Sequence, residues 1–475
     1  MLKSDLGRYW RGWRVLLVLL LGAQVATAQS QATPPKAWTL DNVVQYALEH
    51  YPAVRASLEQ VKAAHAGLSL ARTQYLPQFS GVYQDSRATQ NQVPGIWLPT
   101  PITPTVEGPI GASSGQSYWA SQVAALFSFE PADFGLRAAK MSQARSAEEK
   151  AQAELSVVRL QVATAAGNYF LLALANHQAV QAAQENVERW QVVDKTVHVL
   201  ADNELRPGAE ASRADAELAR ARTQLYQMQQ AERTALDTLA ALMGVAGSDV
   251  QVDGNRLLEL PDRSLPDVSA AEHPLAREGM AAIRQVQASE KVLQKTDYPR
   301  LYLQAEGLGR GSEIPNNGSI LGNANGLEPA RGNWIAGVTV LFPDVFGFKA
   351  LSAEKQIAKA EERAQEARRE QSMQDLTGQI RAARDQWQTA QLVAQQTPTE
   401  LVAARQSEAQ SRARYEAGLA TLVEVAEAEN LLGQAEMDDA LARLNVWKGL
   451  FEIAYAQGDL DDFLQVLRSK SAGDH

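Results

Sequence analysis

One uninterrupted stretch constrains this chain more than any other feature. From Leu136 to Asp202, 67 residues pass with no proline and a single glycine, Gly167. Proline and glycine are the residues that end helices, so the stretch is expected to form one helix ~100 Å long at ~1.5 Å per residue. Globular helices average about a dozen residues. One this long needs cover along its whole length, as in a coiled coil or a tube of helices. The apolar spacing agrees: Leu155, Val158, Val162, Ala165, Tyr169 and Leu172 alternate by three and four, the heptad signature. Ala179, Ala183 and Val187 then insert a four-four step before Trp190, a stutter that straightens a left-handed supercoil.

The stretch has a second copy. Phe348 to Ala417 spans 70 residues, interrupted only by Gly378 and by Pro398, where a kink is expected. Other landmarks repeat in the same order. His50-Tyr51-Pro52 returns as Glu272-His273-Pro274, and Tyr75-Leu76-Pro77 as Asp297-Tyr298-Pro299, both prolines 222 positions on. Trp119, Phe127 and Phe134-Gly135 match Trp334, Phe342 and Phe346-Gly347. An ordered series of this kind marks an internal duplication. Each half reads as a helix of about 23 residues, two strands and a long helix with its return. The expected organisation is a signal peptide at 1–28, a first repeat at 29–247 and a linker at 248–269. A second repeat follows at 270–458, then a polar tail at 459–475.

The strands alternate in period two. In 117–129, Trp119, Ser121, Val123, Ala125, Phe127 and Phe129 share one face, opposite Tyr118, Ala120, Gln122, Ala124, Leu126 and Ser128. In the second copy Trp334, Ala336, Val338, Val340 and Phe342 form the apolar face. The strands before them are Gln78–Arg87 and Arg300–Gly309. Phe79, Gly81 and Tyr83, or Leu301, Leu303 and Ala305, are expected outward; Gln84, Gln304 and Glu306 are expected inward. An apolar band bounded by aromatics is what a transmembrane strand presents to lipid, with Trp119, Phe127, Phe129, Trp334 and Phe342 as interface aromatics. Four strands cannot close a barrel, so other subunits must complete it. The Pro-rich residues 89–116 and Gly/Asn-rich residues 310–332 become long external loops.

The N-terminus supports export. Lys3, Arg8, Arg11 and Arg14 precede the apolar run Val15 to Ala23, and Ala26-Thr27-Ala28 fits a cleavage site. Without those four basic residues and Asp5, 41 basic residues face 54 acidic ones, a net charge of −13, opposite in sign to a nucleic-acid binder. No other run of 18 apolar residues occurs, so membrane insertion is assigned to strands. Cysteine is absent, which removes disulfides, thiolate metal sites and a lipidated N-terminal cysteine.

The long helices must reverse. Asn203 to Gly208, including Arg206 and Pro207, precedes Ser212-x-x-Asp215; Arg414-Tyr415-Glu416-Ala417-Gly418-Leu419-Ala420 precedes Thr421-x-x-Glu424. Gly208 and Gly418 are expected to take positive φ as helix C-caps, with capping boxes after them. On this alignment the first turn carries one extra residue between Gly208 and Ser212. Asp202, Glu204, Arg206, Glu210, Asp215, Glu408, Arg412, Arg414, Glu416 and Glu424 are charged residues near the turns, candidates for pairs that hold a tube shut.

Together the export signal, Thr-Leu-Asp-x-x-Val-x-x-Ala-Leu-Glu-x-x-Pro at 39–52, Leu-Pro-Gln at 76–78 and Arg-Tyr-Glu-Ala-Gly-Leu-Ala at 414–420 resemble the TolC-like outer-membrane efflux family. The resemblance covers essentially the whole chain after the leader. It implies a mainly α fold with a small β part: a homotrimeric α-barrel of long antiparallel helices, with four strands per chain in a twelve-stranded outer-membrane barrel. It further implies a passive exit duct whose periplasmic tips meet a periplasmic adaptor, which links to an inner-membrane pump. The tip contact and gate would then include Arg206, Pro207, Gly208, Ser212, Asp215, Arg414, Tyr415, Gly418, Thr421 and Glu424. A periplasmic coiled-coil adaptor is the alternative from a different class.

No catalytic or cofactor motif stands out. The six histidines show no His-x-x-x-His spacing, so no metal site is assigned, and His50 and His273 fall at helix starts as surface or cap residues. Ser352-x-x-Lys355 lacks its partner motifs, and Gly307-x-Gly309-x-Gly311 reads as a strand end.

Overall fold

The computed structural model describes residues 37–89, 117–261, 263–313, 324–343 and 347–469. The expected signal peptide, most of the two strand-connecting loops and Phe346 lie outside the described residues.

Helix α1 (Leu40–His50) starts at Thr39, whose hydroxyl caps the Asn42 amide. Helices α2 (Pro52–Thr73) and α5 (Pro274–Lys295) both run 22 residues from a proline at the first position, where the missing amide costs nothing. The long helices are α3 (Leu136–Asp202, 67 residues) and α6 (Phe348–Glu416, 69 residues); Pro398 lies within α6 without ending it. Their returns are α4 (Gly208–Leu242) and α7 (Leu422–Gln457). His273 caps α5: its Nδ1 accepts from the Leu275 amide at 3.1 Å, and its Nε2 faces the Tyr455 carbonyl at 3.3 Å. It is 1 % exposed, a buried cap rather than a surface one, whereas His50 closes α1 in the open.

The segment 459–475, expected as a polar tail, instead contains α8 (Asp461–Ser469). Phe463, Leu464 and Leu467 form its buried stripe, and the Phe463 ring meets Trp447 and Phe451 edge-on. Polar composition concealed three apolar residues at helical spacing.

The core gathers where the helices cross the middle of the chain. Leu40, Val43, Phe170, Leu174, Trp447, Leu450, Phe451 and Phe463 are its centre. A Cβ on Gly167 would stand 2.2 Å from the Phe451 ring, so the glycine in α3 permits close packing there. The buried stripe of α3 runs through Leu160, Ala163, Ala166, Phe170 and Leu174; Tyr169 and Leu172 of the expected heptad seam are exposed within the chain. Two adjacent stripes share heptad spacing, and only packing against α1 and α7 selects one. α3 also contains an 18-residue window apolar enough to cross a membrane, but half of that window is buried in the chain. The linker straps this core through a parallel bridge from Trp38 to Val252 and a Trp447 indole donating to the Glu259 carbonyl at 2.6 Å.

The four strands β1 (Gln78–Thr89), β2 (Ser117–Ala132), β3 (Arg300–Ser312) and β4 (Arg331–Leu341) form one antiparallel sheet in sequence order. β2 pairs β3, which joins the two repeats; after a register shift between Phe129 and Ala132 the ladder closes on the Ala132–Leu301 pair. Phe134 (φ 51°) and Gly135 (φ 97°) then turn the chain into α3. Asp133 holds that turn by accepting from the Gly135 and Arg137 amides.

Candidate functional site

Register decides what the sheet presents. Phe79, Phe127, Ala305 and Ala336 form one outward row; Gly81, Ala125, Gly307 and Trp334 form the next; Tyr83, Val123, Gly309 and Gly332 the third. Towards the helices the face continues through Phe129, Leu303 and Val338 to Leu301 and Val340. From Leu301 to Gly309 this apolar surface extends ~26 Å at ~3.3 Å per residue, the height of a lipid-facing barrel band. Phe79, Tyr83, Trp334, Val338 and Phe342 are all more than half exposed. The opposite face carries Gln84, Gln122, Gln304, Glu306 and Arg310 beside Leu126 and Ile335. Trp119 lies six residues along β2 from the Trp334 row, so the two tryptophans stand at different heights. Its ring faces the Arg87 guanidinium at 5.4 Å, and its amide donates to Glu313 at 2.8 Å.

At the far end of the helices the two turns share one geometry. In the second, Gly418 (φ 77°) follows α6, its amide reaching the Tyr415 carbonyl and the Leu419 amide the Arg414 carbonyl. In the first, Glu204 (φ 62°) follows α3, its amide reaching Ala201 and the Leu205 amide reaching Leu200. Both are Schellman motifs. The structure therefore aligns Glu204 with Gly418, Leu205 with Leu419, Pro207 with Thr421 and Glu210 with Glu424. Gly208 is not the C-cap: it opens α4, and the turn holds no extra residue. Ser212 is an exposed residue inside α4 and caps nothing, whereas Thr421 and Glu424 form a full capping box. A local motif offset by one turn of helix misdirected the first assignment.

The tips grip each other. The Arg206 guanidinium lies 4.6 Å over the Tyr415 ring and donates to the Tyr415 carbonyl at 3.0 Å. The Tyr415 hydroxyl donates to Glu210 at 3.0 Å. Tyr415 is 3 % exposed; burial and the Glu210 bond push its pKa up to about 12, so it stays a donor. Arg414 reaches Glu424 at 3.7 Å, and Asp215 meets His198 at 3.1 Å.

The family model of the outer membrane efflux protein matches residues 43–245 and 265–453. The chain belongs to the outer membrane efflux protein family. CyaE of Bordetella pertussis is 28 % identical over 296 residues, 59 % of this chain and 57 % of that protein. The pyoverdine export outer membrane protein OpmQ of Pseudomonas aeruginosa is 26 % identical over 470 residues, covering 90 % of this chain and 89 % of OpmQ. The solved CmeC outer membrane channel of Campylobacter jejuni superposes with a TM-score of 0.70 at 16 % identity, over 88 % of this chain and 85 % of CmeC. The chain is thus an outer membrane efflux protein with a mainly helical fold and a small antiparallel β part.

The efflux protein also contains a charged network that sequence reasoning missed. Glu429 of α7 is fully buried and accepts from Arg189 of α3 at 3.0 Å and Arg412 of α6 at 2.6 Å. Arg189 also meets Glu436 at 2.9 Å, and Arg412 meets Glu408 at 2.6 Å. Burial, and then the nearby Glu429, raises the Glu408 pKa. One signal was available: Glu429 falls on the apolar stripe of Val425, Ala428 and Leu432, where a charge needs a partner. Ser352 lies on α6, where Lys355 reaches Asp297 at 3.8 Å, and Gly307, Gly309 and Gly311 lie within β3.

Proposed function

We propose that three copies of this efflux protein close into a passive exit duct, with twelve strands in the outer membrane and twelve helices through the periplasm. The open sheet carries this reading. Among the described residues the strand order ends at β1 and β4, and the outward face is apolar. A sheet edge is not tolerated in lipid, and the smallest barrels have about eight strands, so other copies must supply the missing partners. The exposed Tyr169 and Leu172 on α3 favour the same assembly, since a neighbouring chain would cover them.

At the periplasmic end, Leu205 and Leu419 occupy equivalent turn positions and are 69 % and 72 % exposed. Exposed leucines at repeated tip positions suit contact with a periplasmic adaptor, itself linked to an inner-membrane pump in a tripartite system. The Arg206–Tyr415–Glu210 contact is the candidate gate latch, with Pro207, Gly208, Ser212, Asp215, Arg414, Gly418, Thr421 and Glu424 around it. A periplasmic adaptor would have no use for the apolar sheet face.

The test is reconstitution in planar bilayers. A detergent-stable trimer with a discrete conductance that rises in Arg206→Ala and Tyr415→Phe is expected. A trimer that stays non-conducting after both tips are altered, or a chain that stays monomeric, overturns the proposal.

A further inference from the structure

The first hairpin assembles a cluster of which the duct reading names only Asp215, as a neighbour of the latch. Asp194 and His198 stand one turn apart on α3, and Asp215 faces them from α4. His198 Nε2 lies 3.1 Å from Asp215 Oδ1 and 3.7 Å from Asp194 Oδ1. One donor atom from each residue lies within 4.8 Å of the other two. Asp194 Oδ1 is buried and accepts no hydrogen bond among the described residues. Asp202, one turn further along α3, adds its negative field to the imidazole.

The duplication gives this cluster a counterpart. With Glu204 aligned on Gly418, the residues Asp194, His198 and Asp215 fall on Glu408, Arg412 and Glu429. There the Arg412 guanidinium sits between the two carboxylates, 2.6 Å from each. Both hairpins therefore place a nitrogen-bearing side chain between two carboxylates on facing helices, and in the second it is a permanent cation. The first offers an imidazole; Asp215 and then the other flanking carboxylates hold its pKa above the ordinary value, and a metal ion that displaces its proton takes the freed lone pair.

We propose that Asp194, His198 and Asp215 form a divalent transition-metal site that staples α3 to α4, the counterpart of the Arg412 bridge. Ligands at ~2.1 Å from a tetrahedral Zn²⁺ lie ~3.4 Å apart; the 3.1 and 3.7 Å distances fall either side of that value, and the two carboxylates lie within 4.8 Å of each other. One imidazole nitrogen with two carboxylate oxygens suits Zn²⁺, and two carboxylates neutralise its charge. Mg²⁺ and Ca²⁺ favour oxygen donors throughout and have less use for the imidazole. Water completes the coordination on the exposed side. Spacing within the sequence concealed the site because Asp215 reaches it from the other helix.

The experiment titrates the purified, chelator-treated full chain with Zn²⁺ alone, followed by calorimetry and by thermal unfolding. The expected result is saturable binding of one ion per chain that disappears in His198→Gln and weakens at least tenfold in Asp215→Asn. His65→Gln and His177→Gln, whose imidazoles each meet one glutamate, should leave it unchanged. His198→Arg, which copies the second repeat, should bind no Zn²⁺ yet match the metal-loaded protein in thermal midpoint. Absence of saturable binding, or the same stoichiometry and affinity in His198→Gln, overturns the proposal and leaves an ordinary exposed ion pair.

Discussion

Glu429→Gln tests whether the buried network ties the two repeats together. The carboxylate accepts two charge-assisted hydrogen bonds, from Arg189 at 3.0 Å and from Arg412 at 2.6 Å. Bonds of this kind contribute about 1.5–3 kcal/mol each, and breaking a fully buried pair costs about 3–5 kcal/mol. Three features reduce that figure here. Arg189 and Arg412 are 18 % and 34 % exposed, so water can take up part of their charge. Both keep a second carboxylate, Glu436 and Glu408. Glu408 is also relieved of a like charge. The expected net loss is about 2 kcal/mol, or roughly thirtyfold in a local opening equilibrium. Native-state hydrogen exchange reads this directly, without requiring reversible global unfolding. Amides of α7 around Glu429 should exchange roughly thirtyfold faster, while those of β2 and β3 should not change. A double-mutant cycle with Arg189→Met should return a coupling above about 0.5 kcal/mol. Acceleration below about threefold, or coupling below that threshold, would refute the reasoning.

Three further outcomes follow from the local geometry. Thr421→Ala removes the capping box of α7 and should cost about 1 kcal/mol, read as faster exchange confined to the first turn of α7. Glu204→Gly removes a non-glycine residue from positive φ and should stabilise the first tip by about 1 kcal/mol, whereas Gly208→Ala, with open space around it, should be tolerated; equal destabilisation by both would contradict the tip alignment. His273 has its pKa lowered by burial, against a smaller upward pull from the Tyr455 carbonyl. Its contribution is therefore complete above the unfolded value near 6.5 and is lost as pH falls below it. Thermal midpoints should drop across that window in the parent and less in His273→Asn.

Much of the architecture was legible because its signals are local. Pro52, Pro274 and the uninterrupted runs mark helix bounds that α2, α3, α5 and α6 keep within a residue or two. Period-two alternation placed Phe127, Val123 and Glu306 on their faces because successive side chains in a strand must point to opposite sides. The first turn was misaligned because Gly208 and Ser212 imitate a cap-and-box motif one helical turn too late; only backbone hydrogen bonds reveal Glu204 in that role. α8 was hidden because its value lies in reaching Trp447 and Phe451, not in its own composition.

The sequence alone determined a duplicated helix–strand–strand–helix chain, since helix length and strand alternation follow from each residue's neighbours along the chain. Tertiary structure alone decided which stripe of α3 is buried, how Arg189 finds Glu429 across 240 positions, and that His198 stands where the other repeat has Arg412. Contacts of that kind depend on which helices pack side by side, and no local spacing encodes that choice.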